Sequence, residues 1–119
     1  MIIYSEDRYD LDERTFLFAK NVRDCADKLS GKITDLEIGK HLIRSAGSVG
    51  ANYIEANEAL SRKDFLMRIK VCRKEAKEAR YWLALSEPLE ENQDGKTELM
   101  GEATELMKIF ASIIRRTTV

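Results

Sequence analysis

An apolar repeat that alternates steps of four and three residues runs through four segments of the chain, and it constrains the fold more than any other feature. This spacing puts about one side chain per turn on one helix face, as in helices packed in a left-handed bundle. The repeat positions are Leu11, Thr15, Phe18, Val22, Cys25 and Leu29; Ile38, Leu42, Ser45, Val49, Asn52 and Ala56; Phe65, Ile69, Cys72, Ala76, Ala79 and Leu83; and Leu99, Ala103, Leu106, Phe110 and Ile113. No strand-like alternation of apolar and polar residues competes with these repeats. The pattern therefore predicts four helices.

The predicted helices cover about residues 11–29, 35–58, 62–87 and 96–116. Loops of roughly four to eight residues between long helices favour antiparallel neighbours. We therefore predict an all-α fold, an antiparallel up-down-up-down four-helix bundle that forms a single domain over residues 1–119.

Polar residues mark several of the predicted helix ends. Thr34 or Asp35 is expected to cap the second helix, and Glu37 would complete a capping box with Thr34. Ser61 is expected to cap the third helix, which must end before Pro88 because proline cannot continue the hydrogen-bond ladder. Residues 87–95 are predicted to form a polar loop.

The chain is long enough to form a core without a disulfide, a structural metal or a cofactor. A domain of 119 residues should bury roughly two-thirds of the surface that the unfolded chain exposes. Cys25 and Cys72 lie on apolar repeats, so we expect two buried free thiols. No apolar run approaches the roughly 20 residues that span a bilayer, and Met1–Asp7 lacks a signal-peptide pattern. These features indicate a cytoplasmic protein with no membrane partner.

The second predicted helix is apolar or small over most of its circumference, as expected of a helix buried on more than one side. Close approach of a backbone within the same bundle would explain this, and so would contact with a second copy of the chain. If a second copy is the reason, the candidate interface residues are Gly39, Ile43, Ala46, Gly50, Tyr53 and Ile54, with Trp82 of the third helix.

The sequence contains no group of residues with the spacing of a catalytic, metal-binding or nucleotide-binding site. The glycine-rich run at residues 45–50 lacks the Lys-Ser or Lys-Thr and the preceding strand of a phosphate loop. His41 and Ser45 lie one turn apart without an orienting acid, and Glu75 and Glu78 are best explained as ion-pair partners. With one histidine in the chain, neither a zinc site nor a di-iron site has enough ligands. We predict a non-enzymatic protein with no small-molecule substrate.

Charge is distributed unevenly along the chain. Residues 62–80 contain eight basic and three acidic residues, whereas residues 87–105 contain seven acidic residues and one lysine. Six of the basic residues fall within about 120° of arc on the third helix, away from its apolar face. We call them the basic stripe: Lys63, Lys70, Arg73, Lys74, Lys77 and Arg80. The stripe either contacts a phosphate backbone or is a solvated face neutralised by acids of a neighbouring helix or subunit.

Several runs of the sequence resemble a known bacterial family. The runs are residues 9–11, 38–53, 63–65 and 74–83, of which Ile43-Arg44-Ser45 followed by Ser48-Val49-Gly50-Ala51-Asn52 is the most specific. The chain is similar over about residues 9–116 to the four helix bundle proteins encoded in intervening sequences of large-subunit ribosomal RNA genes, sometimes labelled ribosomal proteins.

The resemblance implies the same up-down bundle and no catalytic motif. It also implies a ring-like homopentamer, as in the related accessory proteins of diversity-generating retroelements, and an association with RNA or another nucleic acid. We therefore expect an oligomeric bundle that binds RNA or a ribonucleoprotein through the basic stripe. The alternative is a homo-oligomeric scaffold that binds proteins and no nucleic acid.

Overall fold

The structure, a computed structural model, describes the backbone of residues 5–88 and 90–118 and the side chains from Leu11 onward within those ranges. Four α-helices follow one another along the chain: α1 (Ser5–Ala26), α2 (Ile33–Asn57), α3 (Arg62–Leu85) and α4 (Gln93–Thr118). A short 3-10 turn, Glu90–Asn92, precedes α4.

Side-chain contacts between helices show that neighbours in the chain run antiparallel. Thr15 of α1 lies against Gly50 of α2, whereas Leu29, beyond the end of α1, lies against Gly39 near the start of α2. The bond from Arg68 to Asn52 joins α3 to α2, and the bond from Arg80 to Thr104 joins α3 to α4. The predicted all-α four-helix bundle is confirmed, with overall dimensions of 45 × 22 × 19 Å.

The predicted apolar faces form the core. Every repeat position of α3 and α4 is buried, and so are the α1 positions from Leu11 to Cys25. On α2, the repeat positions Ile38 and Asn52 are only partly buried, whereas Ala46 and Tyr53, which are not repeat positions, are fully buried. Burying apolar side chains is worth roughly 1.5–3 kcal/mol for a large aliphatic or aromatic residue, which makes these faces the main source of stability.

Both ends of α1 and the start of α2 differ from the prediction: α1 begins at Ser5, six residues before the predicted start. Helix α1 ends at Ala26 rather than near residue 29, because the chain turns there and Leu29 pairs with Pro88 in an isolated β-bridge. Lys32 is the N-cap of α2, and its side chain makes no capping hydrogen bond. The predicted Thr34–Glu37 capping box is wrong, since Thr34 already lies inside the helix and the buried Asp35 is hydrogen-bonded to Ser30.

The ends of α3 and the start of α4 were predicted more closely. The Ser61 hydroxyl accepts a hydrogen bond from the Asp64 amide at 3.0 Å, as a side-chain cap should. Helix α3 ends at Leu85. The amide and the hydroxyl of the next residue, the buried Ser86, both donate hydrogen bonds to carbonyls of the last turn of the helix. Helix α4 begins at Gln93 rather than near residue 96, so the predicted loop over 87–95 is shorter than expected.

Candidate nucleic-acid interface

Helix α3 presents the basic stripe on its outer surface. Its buried face runs from Phe65 to Leu83, and the cationic positions lie on the opposite side and on the side toward α4. All six stripe residues are exposed. Arg80 lies 17 positions after Lys63, so the stripe is about 25 Å long.

Nearly all of the stripe lacks a partner within the described part of the chain. Arg80 donates from Nε to the Thr104 hydroxyl of α4 at 3.0 Å. The other five stripe residues form no hydrogen bond or ion pair with any described residue. Neutralisation by acids of a neighbouring helix, which the sequence left open, is therefore not seen within the described chain.

The acids of α4 face another helix. Glu102 accepts two hydrogen bonds from the Arg14 guanidinium of α1, at 2.6 and 3.1 Å. Glu98 and Glu91 line the same side, along an open cleft of about 690 Å³ between α1 and the start of α4. The acidic segment thus borders α1 and leaves the outer face of α3 cationic.

Two further basic residues extend this cationic surface onto α4. Lys108 and Arg115 are exposed and lie four and eleven residues after Thr104, which is the spacing of one helix face. Since Thr104 contacts Arg80 and Arg62 contacts the carbonyl of Thr117, that face of α4 borders the stripe. Sequence analysis missed these residues because the register between α3 and α4 depends on tertiary packing.

The motif residues at 38–53 and 74–83 meet across the α2–α3 contact. Arg44 binds Glu78 through Nη2 at 2.6 Å, and the indole N–H of Trp82 donates to the same carboxylate at 3.2 Å. His41 stacks on Trp82 with ring centroids 4.5 Å apart. The expected ion-pair role of the acids is confirmed for Glu78.

Glu75 belongs to the same contact but is less well satisfied. Its Oε2 atom is buried without a hydrogen-bond partner and lies 3.9 Å from Nη1 of Arg44. Because this distance is too long for a hydrogen bond, the guanidinium compensates the carboxylate through charge alone.

The residues tested as catalytic candidates have structural roles here. The Ser45 hydroxyl is buried and donates to the Leu42 carbonyl at 3.2 Å, while the ring of His41 lies on Trp82. The glycine-rich run at residues 45–50 lies inside α2, where the helix engages its backbone amides. Among the described side chains, no three His, Cys, Asp or Glu residues cluster as metal ligands would.

The candidate oligomer-interface residues fall into two groups. Ala46 and Tyr53 are fully buried in the bundle, and Gly39 is buried with Leu29 of the same chain 3.7 Å from where its Cβ would lie. Gly50 faces Thr15 of α1, so this glycine allows the close α1–α2 approach that the sequence left as one explanation. These four residues therefore pack within the chain.

The remaining interface candidates are open to a partner to different degrees. Ile43 is 46% exposed and Ile54 is 61% exposed, whereas Trp82 is only partly exposed and packs against the core. Further exposed apolar side chains lie beside the two isoleucines at the α1–α2 edge. We define the α1–α2 apolar face as Phe16, Ile33, Leu36, Ile43 and Ile54.

Both cysteines are free and buried, as expected. Burial raises the pKa of the Cys72 thiol to about 12, outweighing the opposing effects of a hydrogen bond and of Arg68. Burial also raises the pKa of Cys25, against the lowering effect of Lys28 and Lys96. Thiols in this state are poor nucleophiles, so neither cysteine is a candidate for catalysis.

None of the helices in the described ranges is apolar over enough residues to cross a bilayer.

An all-α four-helix bundle whose third helix has a cationic outer face defines the class of protein, and comparison with known proteins gives the family. The family model described as 23S rRNA-intervening sequence protein matches residues 8–112. The chain belongs to this family, which confirms the resemblance seen in the sequence. No curated protein matches the chain.

A solved structure supports the same assignment. The chain is similar to a protein with unknown function of the S23 ribosomal protein family from Bacteroides thetaiotaomicron, known from a crystal structure. The two are 30% identical with a TM-score of 0.75, and the match covers 87% of this chain and 97% of the other. Neither description names an enzymatic activity.

Proposed function

We propose that the protein is a cytoplasmic, non-enzymatic bundle that associates with RNA through the basic stripe. The observation that carries the proposal is the exposure of six cations along about 25 Å of one rigid helix, five of them without a partner among the described residues. A phosphate backbone would supply the missing anions, and release of its counterions would drive binding.

The family description is consistent with this proposal. It connects the family with sequences that intervene in 23S ribosomal RNA, and this connection supports an RNA ligand. The net charge of −1 does not oppose binding, because acids that contribute to it, Glu91, Glu98 and Glu102 among them, line the cleft between α1 and α4 rather than the stripe. A separated distribution of charge gives a local positive potential that the net charge does not describe.

Fluorescence anisotropy with a structured ribosomal RNA fragment tests the proposal. We expect affinity to fall steeply between about 50 and 200 mM salt, with a log–log slope that corresponds to several phosphate contacts. The triple variant Lys70→Glu, Arg73→Glu and Lys77→Glu should abolish binding with unchanged helicity, because all three side chains are exposed.

A matched control separates the stripe from net charge. The triple variant Lys20→Glu, Lys28→Glu and Lys32→Glu changes the net charge equally, at exposed positions on α1 and the α1–α2 connection. It should retain most of the affinity. Equal loss in both triple variants, or no loss in the stripe variant, would contradict the assignment of the stripe.

A second candidate function is that of a homo-oligomeric scaffold that binds proteins, and the α1–α2 apolar face favours self-association. Side chains such as Ile33 at 79% exposed and Phe16 at 66% exposed are costly to leave in water. The two functions are compatible, since the five residues of the α1–α2 apolar face lie on α1 and α2 and none of them belongs to the basic stripe on α3. Light scattering decides whether the chain assembles: a multiple of 13.7 kDa is expected, five-fold if the ring implied by the resemblance forms, and 13.7 kDa itself would refute assembly.

A further inference from the structure

The cationic surface consists of two rows rather than one. The basic stripe on α3 is the first row, and Lys108 and Arg115 on the bordering face of α4 form the second. The axes of packed helices lie about 8–10 Å apart, so the two rows start from adjacent helices at about that spacing. The cations are therefore spread across two helices as well as along them. A single nucleic-acid strand, by contrast, presents one line of phosphates.

The surface also lacks the aromatic side chains that bind single strands. Proteins that hold single-stranded nucleic acid combine a charged groove with several aromatic rings on which bases stack. Tyr81 is the exposed aromatic residue beside the stripe within the described chain, and its ring already packs edge-on against Trp82 at 5.1 Å. Among the described side chains, the other exposed Phe or Tyr ring is Phe16, which is on α1. A single strand would therefore gain charge contacts here and little stacking.

The identity of the cations points to phosphates rather than to bases. Four of the six stripe residues are lysines, whose ammonium groups bind phosphates as point charges and impose little directional specificity. The spacing of the two helix axes is of the same order as the groove widths of a duplex, about 6 and 12 Å in B-form DNA. Two rigid rows of cations thus match two phosphate rows across a groove.

We infer that the cationic surface of α3 and α4 binds double-helical nucleic acid across a groove, through phosphates and without reading sequence. The inference rests on the proposed function and specifies its ligand. It assigns Lys108 and Arg115 to the contact, with the α4 row on one backbone and the stripe on the other. Recognition of duplex RNA by shape and phosphate contacts is a known physical mode that needs no access to base edges.

The test compares four labelled probes of one sequence by fluorescence anisotropy at the same salt concentration. They are an RNA duplex of about 20 base pairs, the matching DNA duplex, and one single strand of each, long enough to cover the stripe. We expect at least one duplex to bind about tenfold more tightly than its own single strand. A preference between the two duplexes identifies which nucleic acid is the ligand.

Variants of α4 test the second row. Lys108→Gln and Arg115→Gln should each reduce the salt slope for the duplex by about one and leave the weak single-strand binding nearly unchanged. Lys20→Gln, on the outer surface of α1, is the control and should alter neither. A scrambled duplex should bind as well as the original.

The outcomes separate this inference from the proposed function. Single strands that bind as tightly as duplexes would overturn the duplex inference and leave nucleic-acid binding intact. A strong preference for one duplex sequence would also overturn it, because phosphate contacts carry no sequence information. No binding of any probe at about 50 mM salt would overturn the proposed function as well.

Discussion

Gly50 and Gly101 both lie in the interior of long helices, but they have different surroundings. A Cβ atom on Gly50 would lie 3.3 Å from the Thr15 hydroxyl, whereas nothing lies within 4 Å of the same atom on Gly101. The Thr15 hydroxyl donates to the Leu11 carbonyl at 2.7 Å, and a shift away from the new Cβ atom would disturb that bond. The glycine at residue 50 therefore allows α1 and α2 to approach.

We expect Gly101→Ala to stabilise the fold and Gly50→Ala to fail to do so. Alanine in place of a helix glycine gains up to about 1 kcal/mol, which Gly101→Ala should show in urea unfolding. At Gly50 the contact with Thr15 should cancel or reverse that gain. Thr15→Ala in combination with Gly50→Ala should restore it, because the hydroxyl is removed. Equal stabilisation by the two single alanine variants would contradict the close contact.

The Cys72 thiol should make stability depend on alkaline pH. Its pKa in the folded chain, about 12, lies above the ordinary value of 9.0, so the folded state keeps the proton that the unfolded state loses. The free energy of unfolding should therefore be unaffected by this group below pH 9.0 and fall as pH rises toward about 12. The loss approaches about 1.4 kcal/mol per pH unit.

Chemical denaturation of the unmodified chain and of Cys72→Ala, measured from pH 8 to 11, checks this expectation. Lysine and tyrosine groups titrate in both proteins, so the difference between the two curves isolates the thiol. A difference that stays constant across this range would show that Cys72 does not contribute.

At the scale of the element, Ser61 and Thr34 differ in what they do for their helices. Ser61 caps α3 with a hydrogen bond to the Asp64 amide, whereas Thr34 lies inside α2 and caps nothing. Ser61→Ala should lower the free energy of unfolding by about 1 kcal/mol, as loss of a side-chain cap usually does. Thr34→Ala is the matched control and should leave it unchanged or slightly raise it, because alanine has the higher helix propensity. If Thr34→Ala lowered the free energy of unfolding as much as Ser61→Ala, Thr34 would act as a cap and the predicted capping box would be supported.

The helices could be predicted from the sequence because their apolar repeats are long and regular. The errors lie at helix ends, where a single tertiary contact competes with local preference. Leu29 continues the repeat of α1 but leaves the helix to pair with Pro88. Asp35 has the chemistry of an N-cap, yet it binds Ser30 from within α2. Neither partner is evident from spacing within one helix.

At the scale of the whole molecule, the candidate site was predictable only in part. Helical projection placed the stripe away from the core of α3, and all six residues are exposed. The sequence did not predict which helix the α4 acids would contact, because the ion pair between Glu102 and Arg14 depends on the packing of α1 against α4. The burial of individual interface candidates on α2 was not predictable either, since the bundle buries Tyr53 and leaves its neighbour Ile54 exposed.

This division gives a test of self-association. Ile54→Glu adds a charge to the α1–α2 apolar face at a side chain that is 61% exposed, so the fold of the single chain should tolerate it. In an assembly that buries this face, the added carboxylate would lose its hydration without a partner. We therefore expect the Ile54→Glu variant to have a mass near 13.7 kDa by light scattering, with unchanged helicity.

Leu60→Glu is the matched control, since Leu60 is 99% exposed in the α2–α3 connection and lies outside the apolar face. This variant should assemble like the unmodified chain. If both variants dissociate, the effect comes from added charge rather than from a particular surface. If Ile54→Glu keeps the full assembled mass, subunits meet elsewhere, and the α1–α2 apolar face remains exposed in the oligomer.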